Sequence, residues 1–196
     1  MHRERVESTK TGRRGPGQRG ATLVEAAMVF PILMLIIMGT LEIGLAFKDY
    51  LTVSYISREG ARVGALAGDD ATADCSILIG IGSVATSHDL AKLNQIQIYK
   101  AADGTGTQGV TNTATYNGGD PEQCHVPTLP GDGWTVNSSA WPPTSRQATV
   151  GTQNLDIIGV RVIITHEWAT NFPPFRGSFT IDESTITRLE PKVFEQ

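Results

Sequence analysis

Few residues in this chain are spaced as chemistry requires. Glu25 stands at the edge of a long apolar run. A carboxylate in a spanning helix costs on the order of a few kcal/mol towards the centre, so it needs a partner, a headgroup within reach or a function. The two cysteines, Cys75 and Cys124, most simply pair if their domain is exported; the other possibility is two buried thiols. Gly80-Ile81-Gly82-Ser83-Val84-Ala85 matches a dinucleotide fingerprint, with Asp103 18 residues beyond Ala85. No further βαβ units follow it, however, and small residues that let one helix lie against another account for these glycines better. His2, His88, His125 and His166 are far apart, and Cys124-His125 lacks the second pair that a zinc site needs. His166 falls on an alternating strand and reads as a hydrogen-bonded core or edge residue. No nucleophile–base grouping stands out, so neither a cofactor nor a metal is expected, and an enzyme is not the reading favoured. Asn137-Ser138-Ser139 fits a glycosylation sequon and marks an exposed loop. Trp134 and Trp141 either form an exposed binding tip or pack down a long loop, with packing favoured.

The elements that carry these residues differ sharply in composition. Residues 1–20 hold six basic side chains and two acidic ones, leaving ten basic and 18 acidic groups for the rest, a body of net charge −8. Such a body repels phosphates, which argues against nucleic-acid binding. From Ala21 to Phe47, 20 of 27 residues are apolar, and Ala26–Leu41 has no charge at all. Extended to Phe47 and interrupted only by Glu42, the run makes about 33 Å of helix, enough for a hydrocarbon core of about 30 Å. The basic flank precedes it, so the N-terminus is expected in the cytoplasm and the remainder exported. A cleaved secretory signal fits less well, because the run is too long and no small-x-small site follows.

Beyond Phe47 the helix is expected to continue. Ile43, Phe47, Tyr50, Ser54, Ser57, Ala61 and Gly64 recur in steps of three and four, one helical face, and Gly68-Asp69-Asp70 ends it. Asp70 is placed to cap a second helix over 71–87. Residues 95–99 alternate as a strand, residues 158–168 alternate more clearly, and 178–189 reads as a third after Pro173-Pro174. Residues 102–155, rich in Gly, Thr, Asn, Pro and Ser, read as a long loop.

One arrangement gathers these features. If the chain is cut after Gly20, Ala21 becomes the amino terminus and Glu25 the fifth mature residue. A basic leader ending in glycine, then an apolar helix with glutamate at that place, resembles a type IV prepilin. The run Arg19-Gly20-Ala21-Thr22-Leu23-Val24-Glu25 resembles the TadE family of minor pilin-like proteins of tight-adherence pili. Pro31, Gly39-Thr40-Leu41-Glu42-Ile43-Gly44, Ser57-Arg58-Glu59-Gly60-Ala61-Arg62 and Thr187-Arg188-Leu189-Glu190-Pro191 extend the likeness.

The resemblance implies leader removal by a prepilin peptidase between Gly20 and Ala21. It also implies a role in assembling, priming or capping a thin pilus, in adhesion or secretion, with other pilin-like subunits and the assembly platform as partners. Glu25 would serve subunit assembly, meeting the Ala21 ammonium of a neighbour, since paired charges tolerate low dielectric better than single ones. The expected fold is α+β and pilin-like: a cytoplasmic leader at 1–20, a transmembrane and spine helix at 21–67, and an exported head at 68–196. That head would hold a short second helix and a small antiparallel sheet. A stand-alone membrane-anchored surface domain, binding a ligand through 102–155, is the competing reading.

Overall fold

The computed structural model describes residues 16–125, 133–149 and 154–191, so most of the expected leader, residues 1–15, lies outside the described residues. The chain divides into two compact units, Met1–Leu41 and Glu42–Gln196. One helix, α1, runs from Pro16 to Ala67 and passes through Pro31 without a break. In the first unit every residue from Gly20 to Ile37 is exposed, Leu23 and Met28 by 72% and 71%. A helix apolar on all sides is stable only inside a protein or in hydrocarbon. The most apolar window here has mean hydropathy 2.3 and no protein cover, and the helix is long and apolar enough to cross a membrane.

The second unit sets the rest of α1 beside two short helices, α2 (Ala73–Val84) and α3 (Ser87–Ala91), and a sheet. Its strands are β1 (Leu93–Ala101), β2 (Gln108–Tyr116), β3 (Cys124–His125), β4 (Trp134–Asn137), β5 (Ile157–Glu167) and β6 (Ser178–Arg188). Their spatial order is β3-β4-β2-β1-β5-β6. Every neighbouring pair is antiparallel except β3–β4, so the sheet is mixed rather than the antiparallel one expected.

Helix α1 and strand β5 pass each other in opposite directions. A Cβ added at Gly64 would stand 2.9 Å from Ile158, and one at Gly60 3.0 Å from Val160. Further along, Asp49 reaches His166, and Glu42 reaches Ala169. Four helix residues rise about 6 Å and two strand residues about 6.6 Å, which keeps the two elements in step. This register decides which face of α1 is buried: Glu42, Asp49, Val53, Ile56, Ser57, Gly60, Ala61, Gly64 and Ala65. Ser57, Ala61 and Gly64 agree with the stripe read from sequence, but Ile43, Phe47 and Tyr50 are exposed. Near a membrane-spanning segment apolar character does not distinguish the covered face, and here that face carries charges satisfied by partners.

Gly68, at φ 58°, ends α1 in the left-handed conformation, its N–H returning 3.2 Å to the Gly64 carbonyl. Asp70 does not cap α2. Its carboxylate instead accepts from the N–H and hydroxyl of Thr72, at 2.8 and 2.7 Å, in a turn that precedes the helix. The helix expected over 71–87 is two, because Ala85 is extended and Thr86 opens α3 in a capping box with Asp89.

The greatest departure lies in 102–155, which holds β2, β3, β4 and the 3-10 turn Pro143–Ser145. Its inward positions on β2 are Asn112 and Ala114, too polar or too small for an alternating apolar signal. Asn112 is buried because it donates to Asp74 at 2.9 Å and to the Trp141 carbonyl at 2.7 Å, while accepting from the Trp141 N–H at 2.8 Å. Ser138 also donates to Asp74, at 2.7 Å. Arg146 pairs with the same carboxylate and lies 4.4 Å over the Trp141 ring. Cys75 and Cys124 are joined, tying α2 to β3 across 49 residues, a closure worth roughly 4 kcal/mol in the chain-entropy account.

Candidate functional site

Gly20, Ala21 and Glu25 lie on the exposed helix of the first unit. Among the described residues, a Cβ at Gly20 would meet nothing within 4 Å. Glu25 makes no ion pair with any described residue. A glycine and a carboxylate thus stand about one and a half turns apart on a helix whose apolar surface is exposed among the described residues.

The second unit has a polar cluster that sequence reasoning missed. Asp49, on α1, is 2% exposed. Its Oδ2 lies 2.7 Å from the Lys92 ammonium and 2.7 Å from His166 Nδ1. An ionised carboxylate can only accept, so Nδ1 carries the hydrogen. Burial pushes the Asp49 carboxyl up, but hydrogen bonds and charge from Lys92 and His166 outweigh it and hold the pKa below its usual value. Lys48 lies 3.4 Å from Asp89. Burial likewise pushes Asp89 up, and donors from Thr86 with the Lys48 charge bring it below the ordinary range. About two turns before Asp49, Glu42 is fully buried. Its oxygens accept the backbone N–H groups of Ala169 at 3.0 Å and Thr170 at 2.5 Å.

A cavity of about 750 Å³ opens beside this cluster, lined in part by Leu45, His88, Lys92, His166 and Trp168. Of the residues lining it, His166 and Lys92 are engaged with Asp49. The cluster works as a lock between α1, the end of α3 and β5. Its signal in the sequence is Glu42 and Asp49 at i, i+7, two carboxylates on one helical face in a stretch whose only other charge is Lys48.

The remaining motifs resolve into packing. A Cβ at Gly80 would stand 2.8 Å from Val63, and one at Gly82 2.8 Å from Pro121, so the dinucleotide-like glycines admit neighbouring chain. Trp134 and Trp141 are buried, the former donating to the Pro121 carbonyl at 2.9 Å; they form no exposed tip. Asn137 accepts from the N–H and hydroxyl of Ser139 at 3.2 and 2.7 Å. Cys124 is spent in its disulfide. Among the described residues no group of three or more His, Cys, Asp or Glu could hold a metal ion.

The fold defines a class: an α+β domain that follows an N-terminal helix fit to cross a membrane. Within it, residues 20–62 match the family model described as TadE-like protein. That match, like the geometry, centres on α1, and its likeness is to components associated with the Tad pilus. No curated protein and no solved structure matches the chain.

Proposed function

We propose that the chain is a minor pilin-like subunit of a tight-adherence pilus. In this reading residues 21–41 hold it in the inner membrane, with the basic leader in the cytoplasm and residues from Glu42 onward exported. The observation that carries the proposal is a single combination. An apolar helix is exposed on every side and bears a carboxylate, Glu25, without an ion-pair partner among the described residues, all inside the stretch that matches the TadE-like model. Both features ask for surroundings that other molecules supply: lipid for the apolar surface, and a cation for the charge.

A prepilin peptidase then cuts between Gly20 and Ala21. The new Ala21 ammonium of one subunit meets Glu25 of another, and the protein assembles, primes or caps the filament together with other pilin-like subunits and the platform proteins. N-terminal sequencing of membrane-extracted protein tests this, with Ala21 expected as the first residue. A start near residue 48 would mean a secretory signal and would sink the proposal. An uncut chain would move the stand-alone anchored domain ahead.

A further inference from the structure

The loop between β5 and β6, residues 168–177, reads Trp-Ala-Thr-Asn-Phe-Pro-Pro-Phe-Arg-Gly. Loop tips are ordinarily polar, because they face water. This one has no acidic residue, a single cation in Arg176, and three aromatic rings. Phe172 is 52% exposed, and Phe179, just past the loop, 38%. Trp168 lies 5.1 Å from both Phe175 and Phe179 in tilted packing, so these two rings rest on it. Asn171, at φ 47°, turns the chain in the left-handed region that Asn tolerates.

Where this tip is held matters more than its composition. Glu42 is the first residue after Ala21–Leu41, a run of 21 residues whose sole charge is Glu25. As a helix that run is about 31 Å long, the thickness of a hydrocarbon core. Glu42 binds the loop directly through the Ala169 and Thr170 N–H groups. The aromatic loop is thereby tied to the very residue at which the apolar run ends. A carboxylate there would be costly at the hydrocarbon edge, and the loop's backbone donors satisfy it.

We propose that the β5–β6 loop is a second membrane contact: Phe172 and Phe175 enter the headgroup–acyl boundary while Arg176 meets lipid phosphates. Aromatic side chains favour that boundary, and an apolar tip with one cation suits an anionic surface. The inference rests on the anchoring role of α1. The second unit would then have its β5–β6 end on the bilayer. Within the sheet, the opposite end, where Lys100 pairs with Ile158, is nine strand residues from Glu167, or about 30 Å.

The test uses the full chain in vesicles of phosphatidylethanolamine and phosphatidylglycerol, with doxyl-labelled lipid or aqueous acrylamide as quencher. Three variants each add one tryptophan at an exposed site: Phe30→Trp in the span, Phe172→Trp in the loop and Val110→Trp on β2 at the far end of the sheet. The emission gained over wild type is followed, after a non-reducing thiol assay shows Cys75–Cys124 intact. Loss of the added emission to doxyl lipid at positions 30 and 172, with acrylamide quenching at 110 alone, supports the proposal. Lipid quenching at 30 with acrylamide quenching at 172 overturns it and leaves anchoring intact. Protection of 172 from both quenchers also overturns it, since the loop would then be sealed by a second protein. An absence of lipid quenching at 30 removes the anchoring and this proposal with it.

Discussion

Burial alone would raise the Asp49 pKa; hydrogen bonds and charge from Lys92 and His166 reverse that balance. The consequence has a definite sign. The native pKa is depressed below the unfolded value of about 3.9, so the contribution is complete above that value and is lost as pH falls through the lower native one. Asp49→Asn should destabilise the second unit at pH 7 by about 3 kcal/mol, the lower end for breaking a buried pair, because Lys92 keeps partial access to water. Urea unfolding of detergent-solubilised protein checks this. The gap between variant and wild type should narrow as pH falls below the ordinary carboxylate range towards the depressed native pKa, where wild-type Asp49 is protonated as well. A gap that stays constant with pH would mean that packing, not charge, is what Asp49 contributes. His166 was legible as a satisfied strand residue because alternation from Ile158 placed it inward. Its partner was not legible, since a hydrophobicity stripe on α1 steers towards Phe47 and Tyr50 and away from the carboxylate between them.

Among the elements, β5 and α1 were readable because each repeats one signal for many residues: Ile158, Val160, Val162 and Ile164 at period two, and small residues Ser57, Ala61 and Gly64 on one helical side. Strand β2 was not, because its inward Asn112 is buried by hydrogen bonds to Asp74 and Trp141, groups distant in sequence. A local pattern cannot register such compensation. The same limit applies to Gly159, which interrupts β5 with no visible reason in the sequence. A Cβ there would stand 2.1 to 2.6 Å from three atoms of the Tyr99 ring, and Tyr99 is fully buried. A strand glycine normally marks such close approach, and a buried ring cannot retreat as a flexible side-chain end can. Gly159→Ala should therefore cost at least the roughly 1–3 kcal/mol of overpacking, despite alanine's lower backbone entropy cost. The pair Gly159→Ala with Tyr99→Leu should recover part of the loss. Thermal unfolding of the three variants measures both effects, and a neutral Gly159→Ala would mean that the ring moves aside freely.

For the chain as a whole, composition separates a basic N-terminal stretch, an apolar run with a single charge and an acidic body, and the structure divides between Leu41 and Glu42. The two glutamates of the apolar region therefore have different fates. Glu42 is satisfied within its own unit by two backbone donors, whereas Glu25 has no ion-pair partner among the described residues. Removing Glu25's charge should ease membrane insertion rather than hinder it. Cleavage after Gly20 should continue in Glu25→Gln, because the glycine and the basic leader are unchanged. Association with other pilin-like subunits should fail, since a neighbour's Ala21 ammonium would enter a low-dielectric bundle unpaired, at a cost of roughly 3–5 kcal/mol. With about 1.4 kcal/mol per tenfold change, incorporation should fall by two orders of magnitude or more. Crosslinking of wild type against Glu25→Gln in matched membranes reads this directly, and Glu42→Gln provides a contrast. That substitution keeps one acceptor oxygen but loses the charge, so it should loosen the β5–β6 loop and leave subunit association near wild type. Equal assembly of wild type and Glu25→Gln would reduce Glu25 to a residue that merely reaches headgroups, and the anchored stand-alone domain would become the better account.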